Sequence, residues 1–362
     1  MPNLIKNTIN ECSNFINDRK NEQNMSVQNI NRITKDDISN CENLVQLLQR
    51  VSPHFLEKFE IKELIGSGSE SVVFKVLNKI NKGAYAIKFI LRENGENRNI
   101  NEYNIANKFK NNYIIKIYYV NEIIKNELDC IIMEYAKFGN IRNFQKNILK
   151  RKDLSEQLLC YFTFQILNGL KYCNMFKIIH FDLKPQNIII DEYLTAKIID
   201  FSVSLDYSKI NSNKIKLPFR GTSFYMAPEV IKRKTINIKD LNKIDLYSLG
   251  VILYHLSFYT YPYNLNIKDV NDHDTIYNKI TSNELALNNE DNSFSQYFID
   301  FLKKLLEKDI NKRISIYEAM NHYWVKGAKI LIDEKEKFYN CSSFLVNLVT
   351  DHIINFDRYI NK

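Results

Sequence analysis

The spacing of apolar residues changes along the chain and separates a strand-rich part from a helix-rich part. From Phe59, short runs rich in Ile, Val, Phe and Tyr alternate with Gly, Ser and Asn, which is typical of β-strands joined by turns. From Gly139 onward, apolar residues recur every three or four positions, which is typical of amphipathic helices. A small β-rich part followed by a larger helical part predicts an α+β fold.

Several elements can be placed within this pattern. The strands are predicted over FEIKELIGSGSESVVFKVLNK, AYAIKFI, IIKIYYV and LDCIIMEYA. Asp153 or Ser155 can cap a helix whose apolar stripe covers residues 158–170. The longest apolar run, residues 249–263, contains His255 and is too short to span a bilayer, so it predicts a buried central helix.

The flanking segments differ from the region between them. Residues 1–40 contain ten Asn and few apolar residues, which favours disorder or loose attachment. Residues 38–51 carry apolar positions at helical spacing and predict a short helix packed on the following domain. Apolar positions over 344–356 predict an amphipathic helix, either docked on its own domain or in contact with a partner or membrane.

These boundaries predict three segments. They are an extension over 1–58, a domain over 59–325 divided near 136 and 137, and a tail over 326–362. Either flanking segment could bind a regulatory partner.

Composition narrows the classes of partner and compartment. The net charge of +8 is a modest excess that we interpret as diffuse, so neither nucleic-acid binding nor membrane insertion is expected. Six scattered cysteines form no close CxxC pair, which argues against a zinc site and favours a reducing compartment. The N-terminus lacks the apolar stretch of a signal peptide. We therefore expect the cytoplasm, with the nucleus also open.

Two features of the strand-rich part suggest phosphate chemistry. Gly66-Ser67-Gly68 lies between two predicted strands, where backbone N–H groups could approach a phosphate, although such turns occur in any hairpin. Lys88 lies on an apolar strand and needs a partner. Glu102, fourteen residues later, could form a plain surface salt bridge with it or a pair that holds nucleotide phosphates.

The segment IHFDLKPQNI places an acid, a cation and an amide within six residues. These are Asp182, Lys184 and Asn187, and Asp200 follows at the end of a predicted buried strand. Phosphoryl transfer needs a carboxylate to orient the attacking hydroxyl, oxygen ligands for Mg²⁺ and a cation to offset developing charge. These four side chains supply that set.

Taken together, the motifs resemble the protein-kinase superfamily over about residues 59–325. They occur in kinase order and are the glycine-rich loop, AIK at 86–88, HFDLKPQN at 180–187, DFS at 200–202, GTSFYMAPE at 221–229, DLYSLG at 245–250, LEKDINKR at 306–313 and HYW at 322–324. The resemblance implies the two-lobed kinase fold and the transfer of phosphate from ATP, with Mg²⁺, to protein substrates.

The resemblance also implies roles for individual residues. Asp182 would be the catalytic base, Lys184 would touch the γ-phosphate, and Lys88 would contact the α- and β-phosphates while paired with Glu102. Asn187 and Asp200 would hold Mg²⁺. The remaining nucleotide-binding positions would be Ile65, Gly66, Ser67, Gly68, Val73, Ala86, the gatekeeper Met133, Glu134, Ala136 and Ile189. Lys184 and Thr222 are typical of Ser/Thr kinases.

Three positions depart from the family pattern. Phe181 replaces the arginine before the catalytic aspartate, Ser202 replaces the glycine after Phe201, and Ser71 replaces the third loop glycine. None of these removes a group that touches metal or phosphate, so catalysis is expected. The alternatives are a pseudokinase that kept the fold as a binding module, and a kinase for small molecules or lipids, which the GTSFYMAPE segment disfavours.

The resemblance also suggests how substrates are selected and how the enzyme is controlled. Positions at which basophilic relatives carry glutamate hold Asn140, Gln186 and His255, so upstream arginines are not expected to be required. Phe181 cannot bind a phosphate on the activation loop, so the unphosphorylated enzyme is expected to be active. The alternative is that another basic cluster binds that phosphate.

Overall fold

The chain divides into a β-rich unit and a helical unit. The computed structural model describes residues 33–68, 70–92, 102, 104–105, 108–149, 154–269, 271–287 and 294–327. The first unit contains 1–107 and 115–135, and the second contains 108–114 and 136–362. The predicted α+β class, with a β-rich part followed by a helical part, is confirmed.

The described residues of the first unit include an antiparallel sheet, two continuous helices that precede it, and helical residues at Glu102, Asn104 and Ile105. The sheet order is β1-β2-β3-β5-β4. The helices are α1 Cys41–Val51 and α2 Pro53–Lys58, and the strands are β1 Phe59–Ser67, β2 Ser71–Asn78, β3 Ala84–Leu91, β4 Ile117–Ile124 and β5 Leu128–Glu134. The strand predictions are confirmed for β1, β2, β3 and β5, whereas the strand predicted over IIKIYYV begins only at Ile117 and continues to Ile124.

The core of the first unit lies between one face of the sheet and the two helices. Val72, Phe74 and Val76 alternate along β2 and are fully buried, as expected for a strand with one covered face. The helices cover that face with Leu44, Leu47, Leu48 and Phe55. The Asn40 side chain caps α1 by accepting a hydrogen bond from the backbone N–H of Asn43 at 2.9 Å.

Residues 33–40 are more firmly attached than their composition suggested. Ile33 and Ile38 are buried in the core of this unit, and a turn of 3₁₀-helix covers Asp36–Ile38. The Ile33 backbone N–H donates to a Glu127 carboxylate oxygen at 3.1 Å. The expectation of disorder or loose attachment is wrong for these residues, because two isoleucines suffice to anchor a polar segment. Residues 1–32 lie outside the described residues.

The second unit is mainly helical in its described part. Its helices are α3 Ile141–Asn143, α4 Glu156–Met175, α5 Pro228–Ile231, α6 Asn242–Phe258, α7 His273–Ser282, α8 Gln296–Leu305, α9 Ile316–Asn321 and α10 Tyr323–Lys326. Single turns of 3₁₀-helix cover Pro185–Asn187, Ser223–Tyr225, Ile238–Asp240, Pro262–Asn264 and Ile267–Asp269, and a π-helical turn covers Phe144–Ile148.

The sequence predicted a capped helix and a buried central helix in this unit. Ser155 caps α4, because its hydroxyl accepts a hydrogen bond from the Leu158 backbone N–H at 3.3 Å, whereas Asp153 lies outside the described residues. The central helix α6 is buried from Ile244 to Leu256, as predicted. It ends before the apolar run does, because Tyr259 adopts a left-handed conformation with φ of 57°.

Three short antiparallel ribbons complete the second unit. Their strands are β6 Ile178–Ile179 with β9 Leu205–Asp206, β7 Ile188–Ile190 with β8 Ala196–Ile198, and β10 Lys214–Lys216 with β11 Thr235–Asn237. The amphipathic helix predicted for the tail lies outside the described residues. Among the described helices, none combines the length and apolar character that a membrane span requires.

Candidate active site

In the first unit, the strand register aligns several predicted nucleotide-binding residues. Val73 on β2 lies opposite Gly66 on β1 and opposite Lys88 on β3. Ala86 on β3 lies opposite Met133 on β5. Directly paired residues point to the same face of a sheet, so this register places the loop glycine, Val73 and Lys88 in one row.

Lys88 forms the ion pair that its apolar strand requires. Its ammonium nitrogen lies 3.0 Å from a Glu102 carboxylate oxygen, and the two side chains are 13% and 3% exposed. A buried charge is costly without a partner, so the two side chains hold each other in place. The sequence also allowed a plain surface salt bridge, but the low exposure of both side chains excludes that alternative.

The other predicted nucleotide-binding residues differ in exposure. Ala86 and Met133 are buried, whereas Ile65 is 41% exposed and Ser67 and Gly68 are also exposed. The backbone N–H of Glu134 donates to Lys116 O at 3.1 Å. Two further positions belong to the second unit. Ile189 is half-buried on β7, and Ala136 O accepts a hydrogen bond from the Gly139 backbone N–H at 3.2 Å.

In the second unit, Asp182 is the centre of a cluster of polar side chains. Lys184 Nζ lies 2.7 Å from Asp182 Oδ2, and the Thr222 hydroxyl donates to Asp182 Oδ1 at 2.7 Å. Lys184 also donates to the Thr222 hydroxyl at 2.9 Å. The three side chains form a closed triangle of contacts, which fixes the rotamer of the carboxylate and leaves it partly exposed.

Asp182 lies on a loop formed by residues 180–187, which we call the catalytic loop. A buried carboxylate on helix α6 holds the backbone of this loop. The backbone N–H groups of His180 and Phe181 donate to the two carboxylate oxygens of Asp245 at 2.9 and 3.0 Å. Burial raises the pKa of the Asp245 carboxyl, while His180 and the two N–H donors oppose that rise. A fully buried acid therefore fixes the loop that carries Asp182.

His180 and Phe201 connect this loop with the segment that carries Asp200. The His180 ring nitrogen Nε2 lies 2.9 Å from Ile199 O, and its ring centroid is 5.0 Å from that of Phe201. Phe201 also packs against Phe109 with ring centroids 5.3 Å apart. Asp200 itself has a φ of 66°, which few non-glycine residues adopt.

Asn187 and Asp200 fit the requirements of a magnesium site. The Asn187 amide nitrogen donates to Asp182 O at 2.8 Å, so its amide oxygen is the atom left for a cation. The Ile199 backbone N–H donates to Asn187 O at 3.0 Å, which places Asp200 beside Asn187 along the β7–β8 ribbon. Amide and carboxylate oxygens are ligands that Mg²⁺ accepts, and Mg²⁺ commonly takes few protein ligands together with substrate phosphates.

Phe181 and Gly221 meet at the edge of this cluster. Phe181 is 3% exposed and has a φ of 66°. Gly221 has a φ of 103°, and a Cβ atom at that position would lie 2.3 Å from Phe181 O. Only glycine can occupy this position, so the GTSFYMAPE segment can approach the catalytic loop closely enough for Thr222 to reach Asp182.

The far end of the same segment is fixed by a buried ion pair. Arg313 donates through its two terminal nitrogens to the Glu229 carboxylate at 2.7 and 3.0 Å, and both side chains are at most 3% exposed. Arg313 also donates to Lys243 O and Glu307 O. The segment between Asp200 and Glu229 is thus tied to the helical core at both ends.

Comparison with known proteins decides which family this arrangement represents. Residues 59–325 match the protein kinase domain. The chain belongs to the protein kinase family. The Lys88–Glu102 pair, the Asp182 cluster and the Glu229–Arg313 pair therefore occupy the kinase motifs identified in the sequence.

The kinases to which the chain is similar come from several organisms. It is 32% identical over 273 residues to serine/threonine-protein kinase pakH of Dictyostelium discoideum, covering 75% of this chain and 50% of that protein. It is 31% identical over 277 residues to MAP kinase kinase MKK1/SSP32 of Saccharomyces cerevisiae, covering 75% and 51%. For NUAK family SNF1-like kinase 1 of Homo sapiens, the identity is 27% over 301 residues, covering 81% and 42%. The chain spans about half the length of these relatives, or less.

Two contributions to the site were not assigned to it from the sequence. Thr222 was identified only as part of the GTSFYMAPE motif and as typical of Ser/Thr kinases, although its hydroxyl contacts both Asp182 and Lys184. Asp245 was identified only as the first residue of the DLYSLG motif, although it holds two backbone N–H groups of the catalytic loop. An acid within an otherwise apolar helix was the available signal, because a buried carboxylate needs donors.

Proposed function

We propose that this chain is a Ser/Thr protein kinase that transfers the γ-phosphoryl group of ATP to hydroxyls of protein substrates. The observation that supports this most directly is the Asp182 cluster, in which a partly exposed carboxylate is oriented by Lys184 and Thr222. A pseudokinase needs no such arrangement. The retained Lys88–Glu102 pair also favours catalysis over a binding module.

The proposed reaction follows from the chemistry of these groups. A substrate hydroxyl, oriented by the Asp182 carboxylate, attacks the γ-phosphorus, and the bond from that phosphorus to its bridging oxygen breaks to release ADP. Asp182 accepts the hydroxyl proton, and Lys184 offsets the negative charge that develops on the transferring group. Asn187 and Asp200 would hold Mg²⁺, which neutralises charge on the β- and γ-phosphates when bound.

The remaining nucleotide contacts are assigned within each unit separately. In the first unit, Lys88 would contact the α- and β-phosphates, and Gly66, Ser67 and Gly68 would offer backbone N–H groups. In the same unit, the apolar contacts and adenine-edge groups are proposed to come from Ile65, Val73, Ala86, Met133 and Glu134. In the second unit, they are proposed to come from Ala136 and Ile189.

The choice of Ser/Thr over Tyr rests on two residues and on the relatives. Lys184 and Thr222 hold Asp182 between them, and both residue types are typical of Ser/Thr kinases. The relative pakH carries the name of a serine/threonine-protein kinase. We expect phosphoserine or phosphothreonine in the products, whereas a majority of phosphotyrosine in phosphoamino-acid analysis would contradict this assignment.

We also propose that the kinase works without a phosphate on its activation loop. Phe181 stands where an arginine would bind that phosphate, and it is buried and uncharged. Control would then come from expression or from partners at the segments that flank 59–325. The described cysteines Cys41, Cys130, Cys160 and Cys173 form no disulfide with one another, which favours a reducing compartment, namely the cytoplasm or nucleus.

Phosphate incorporation from labelled ATP into protein tests the proposed activity. The wild-type chain should label a general protein substrate, and Asp182→Asn should reduce labelling by roughly a thousandfold or more while nucleotide binding persists. Glu192→Gln, which removes an exposed carboxylate ten residues away, should retain full activity. If the wild-type chain binds ATP without transferring phosphate, the pseudokinase alternative is correct.

A further inference from the structure

One stretch of the chain carries a strong local excess of positive charge. Residues 207–239 contain eight Lys or Arg residues and one acid, Glu229, a net charge of +7 in a chain whose total is +8. Glu229 is buried against Arg313 and offers nothing to the surface. The interpretation of a diffuse excess therefore does not describe this stretch, because a whole-chain total conceals local clusters of charge.

All eight of these cations are exposed, and few of them have an acidic partner. Within the described part of the chain, Lys232 is the one member that forms an ion pair, with Asp274 at 2.8 Å. Arg220 donates to Val203 O, and Arg233 lies over the Phe219 ring at 5.4 Å. Neither contact neutralises a charge. A group of like charges without counterions raises the energy of the free protein, and a bound anion would lower it.

Six of the cations are held together by a fixed backbone. The β10–β11 ribbon pairs Lys214 with Asn237 and Lys216 with Thr235, so both lysines stand on one face. The Leu217 backbone N–H donates to Lys234 O at 2.9 Å, which joins the ribbon to the turn that carries Lys232 and Arg233. We name this surface the basic ribbon and define it as Lys214, Lys216, Arg220, Lys232, Arg233 and Lys234.

The side of the ribbon that faces the protein is apolar and buried. Ile236 is 7% exposed, Leu217 2% and Ile231 8%. These residues anchor the backbone while the cations project to solvent, so a ligand would meet a preformed surface and would not need to order a loop. The ribbon is therefore a preformed cationic surface.

The basic ribbon is adjacent in sequence to the catalytic cluster. Arg220 precedes Gly221 and Thr222, and Thr222 contacts Asp182 directly. Lys216 lies six residues before Thr222, a span of at most about 20 Å along the chain. Residues that flank a phosphorylated hydroxyl would therefore lie within reach of the ribbon, which favours a segment of the substrate protein as the anion.

The three positions at which carboxylates would select arginine also agree with an acidic substrate. Asn140 uses its side-chain oxygen to cap helix α3, and Gln186 is exposed and uncharged. His255 is buried and stacks on Tyr261 with ring centroids 4.5 Å apart. The substrate surface of the second unit thus lacks anions at these three described positions and carries six cations.

We propose that the basic ribbon selects substrates whose phosphorylation site is flanked by acidic residues. This inference rests on the proposed kinase activity and names its substrate class. Lys and Arg would bind carboxylates, or phosphates already present on the substrate, through charge-assisted hydrogen bonds that weaken as salt increases. RNA and anionic membranes are different partners, and their binding is treated as an outcome of the test.

The test compares two peptides with the same Ser acceptor, one flanked by Asp and Glu and the other by Asn and Ala. The full chain is first treated with phosphatase and checked by mass spectrometry, so that no phosphate of its own occupies the ribbon. We expect kcat/KM to be at least tenfold higher for the acidic peptide, with most of the difference in KM. Lys214→Glu combined with Lys216→Glu should remove most of that preference.

The matched control is Lys303→Glu combined with Lys312→Glu, which changes the net charge equally on exposed residues outside the ribbon. It should leave the acidic preference intact. Equal effects of both double variants, or no acidic preference in the wild type, would overturn the proposal. A peptide with phosphoserine in place of Asp separates the two sources of negative charge, and preference for either one supports the ribbon.

Binding without turnover keeps this proposal separate from the kinase assignment. Fluorescence anisotropy of the labelled acidic peptide should show binding that the ribbon variant weakens at least tenfold. If no peptide is phosphorylated but this result holds, the kinase activity fails and the ribbon stands. If polyuridylate or vesicles of phosphatidylserine bind as tightly as the peptide and compete with it, the acidic-substrate proposal is overturned.

Discussion

Asp182 depends on a hydroxyl forty residues away for its orientation. Thr222 donates to Asp182 Oδ1 at 2.7 Å and accepts from Lys184 at 2.9 Å. Thr222→Val keeps the shape of the side chain but removes both hydrogen bonds, so Asp182 and Lys184 should lose their fixed positions. We expect kcat/KM to fall about tenfold or more, equivalent to about 1.4 kcal/mol of transition-state stabilisation.

Thr222→Ser is the matched control, because it retains the hydroxyl and removes only a methyl group. Steady-state kinetics of the two variants should therefore differ, with Thr222→Ser close to wild type. An equal loss in Thr222→Ser would contradict this role, because that variant keeps the hydroxyl that makes both hydrogen bonds.

Gly221 gives a second prediction at the residue scale. Its φ is 103°, and a Cβ atom added there would lie 2.3 Å from Phe181 O, so Gly221→Ala must displace the backbone of the catalytic loop. We expect a loss of about 2–4 kcal/mol in the free energy of unfolding, measured with urea. Gly66→Ala, where the nearest side-chain atoms lie at 3.6 Å and no positive φ is required, should cost less than about 1 kcal/mol.

The sequence predicted the proximity of some of these site residues but not of others. Asp182, Lys184 and Asn187 occur within six positions of one another, so their proximity could be read directly from the chain. The Thr222 contact depends on how a segment forty residues downstream folds back, and no periodicity encodes that distance. Nothing in the GTSFYMAPE motif indicated why residue 221 must be glycine, because that requirement comes from its close contact with Phe181 O and not from a local turn.

At the scale of elements, the helices that precede the kinase domain are part of its core. Leu48 on α1 is fully buried, as are Phe74 and Phe89 on the sheet that it covers. Leu48→Ala should lower the free energy of unfolding by about 2–5 kcal/mol, because it removes buried methyl groups and leaves a cavity. The exposed neighbour Gln46 provides the control, since Gln46→Ala should change stability by less than about 0.5 kcal/mol.

This measurement also distinguishes a core element from a loosely attached one. Chemical denaturation of the full chain should show one transition that shifts with Leu48→Ala. An unchanged midpoint would mean that α1 detaches before the sheet unfolds, and that the segment before Phe59 contributes little to the stability of the domain.

The locations of the strands and helices were easier to predict than the points where they end or attach to the core. Alternation of apolar residues located the strands, and the stripe over 158–170 located α4, because burial of one face enforces those periods. The attachment of Ile33 and Ile38 was missed, since a few apolar residues in an Asn-rich segment give no period. The end of α6 was also missed, because a left-handed residue at Tyr259, and not a change in hydrophobicity, terminates the helix.

For the whole molecule, the structure narrows the ways in which the activation loop could be regulated. Among the loop hydroxyls, Ser204 and Tyr207 are buried and Thr222 is engaged with Asp182. Ser202, Ser208 and Ser212 are exposed, and Ser223 is half-buried. Ser202 directly follows Asp200 and Phe201, so Ser208 and Ser212 are the best placed acceptors. A phosphate there could meet the nearby lysines, whereas Phe181, which is 3% exposed and carries no charge, could not bind it.

The contacts that hold the catalytic loop indicate that such a phosphate is not required for activity. The loop is already held by Asp245 through two backbone N–H groups, and the segment from Asp200 is held by the Glu229–Arg313 pair at its far end. Both sets of contacts join groups of the protein itself, so they should hold the loop whether or not a serine in it is phosphorylated. The unphosphorylated molecule should therefore be close to fully active.

Ser208→Ala combined with Ser212→Ala tests this directly, because the double variant cannot carry phosphate at either of these two serines. Its kcat/KM, and that of phosphatase-treated wild type, should lie within about threefold of the untreated enzyme, a difference of about 0.7 kcal/mol. Phe181→Arg should not raise activity, since an arginine there would gain no phosphate to bind. A loss of tenfold or more on dephosphorylation, restored by a phosphate at one of these serines, would show that a basic cluster replaces the missing arginine and that the loop is under phosphate control after all.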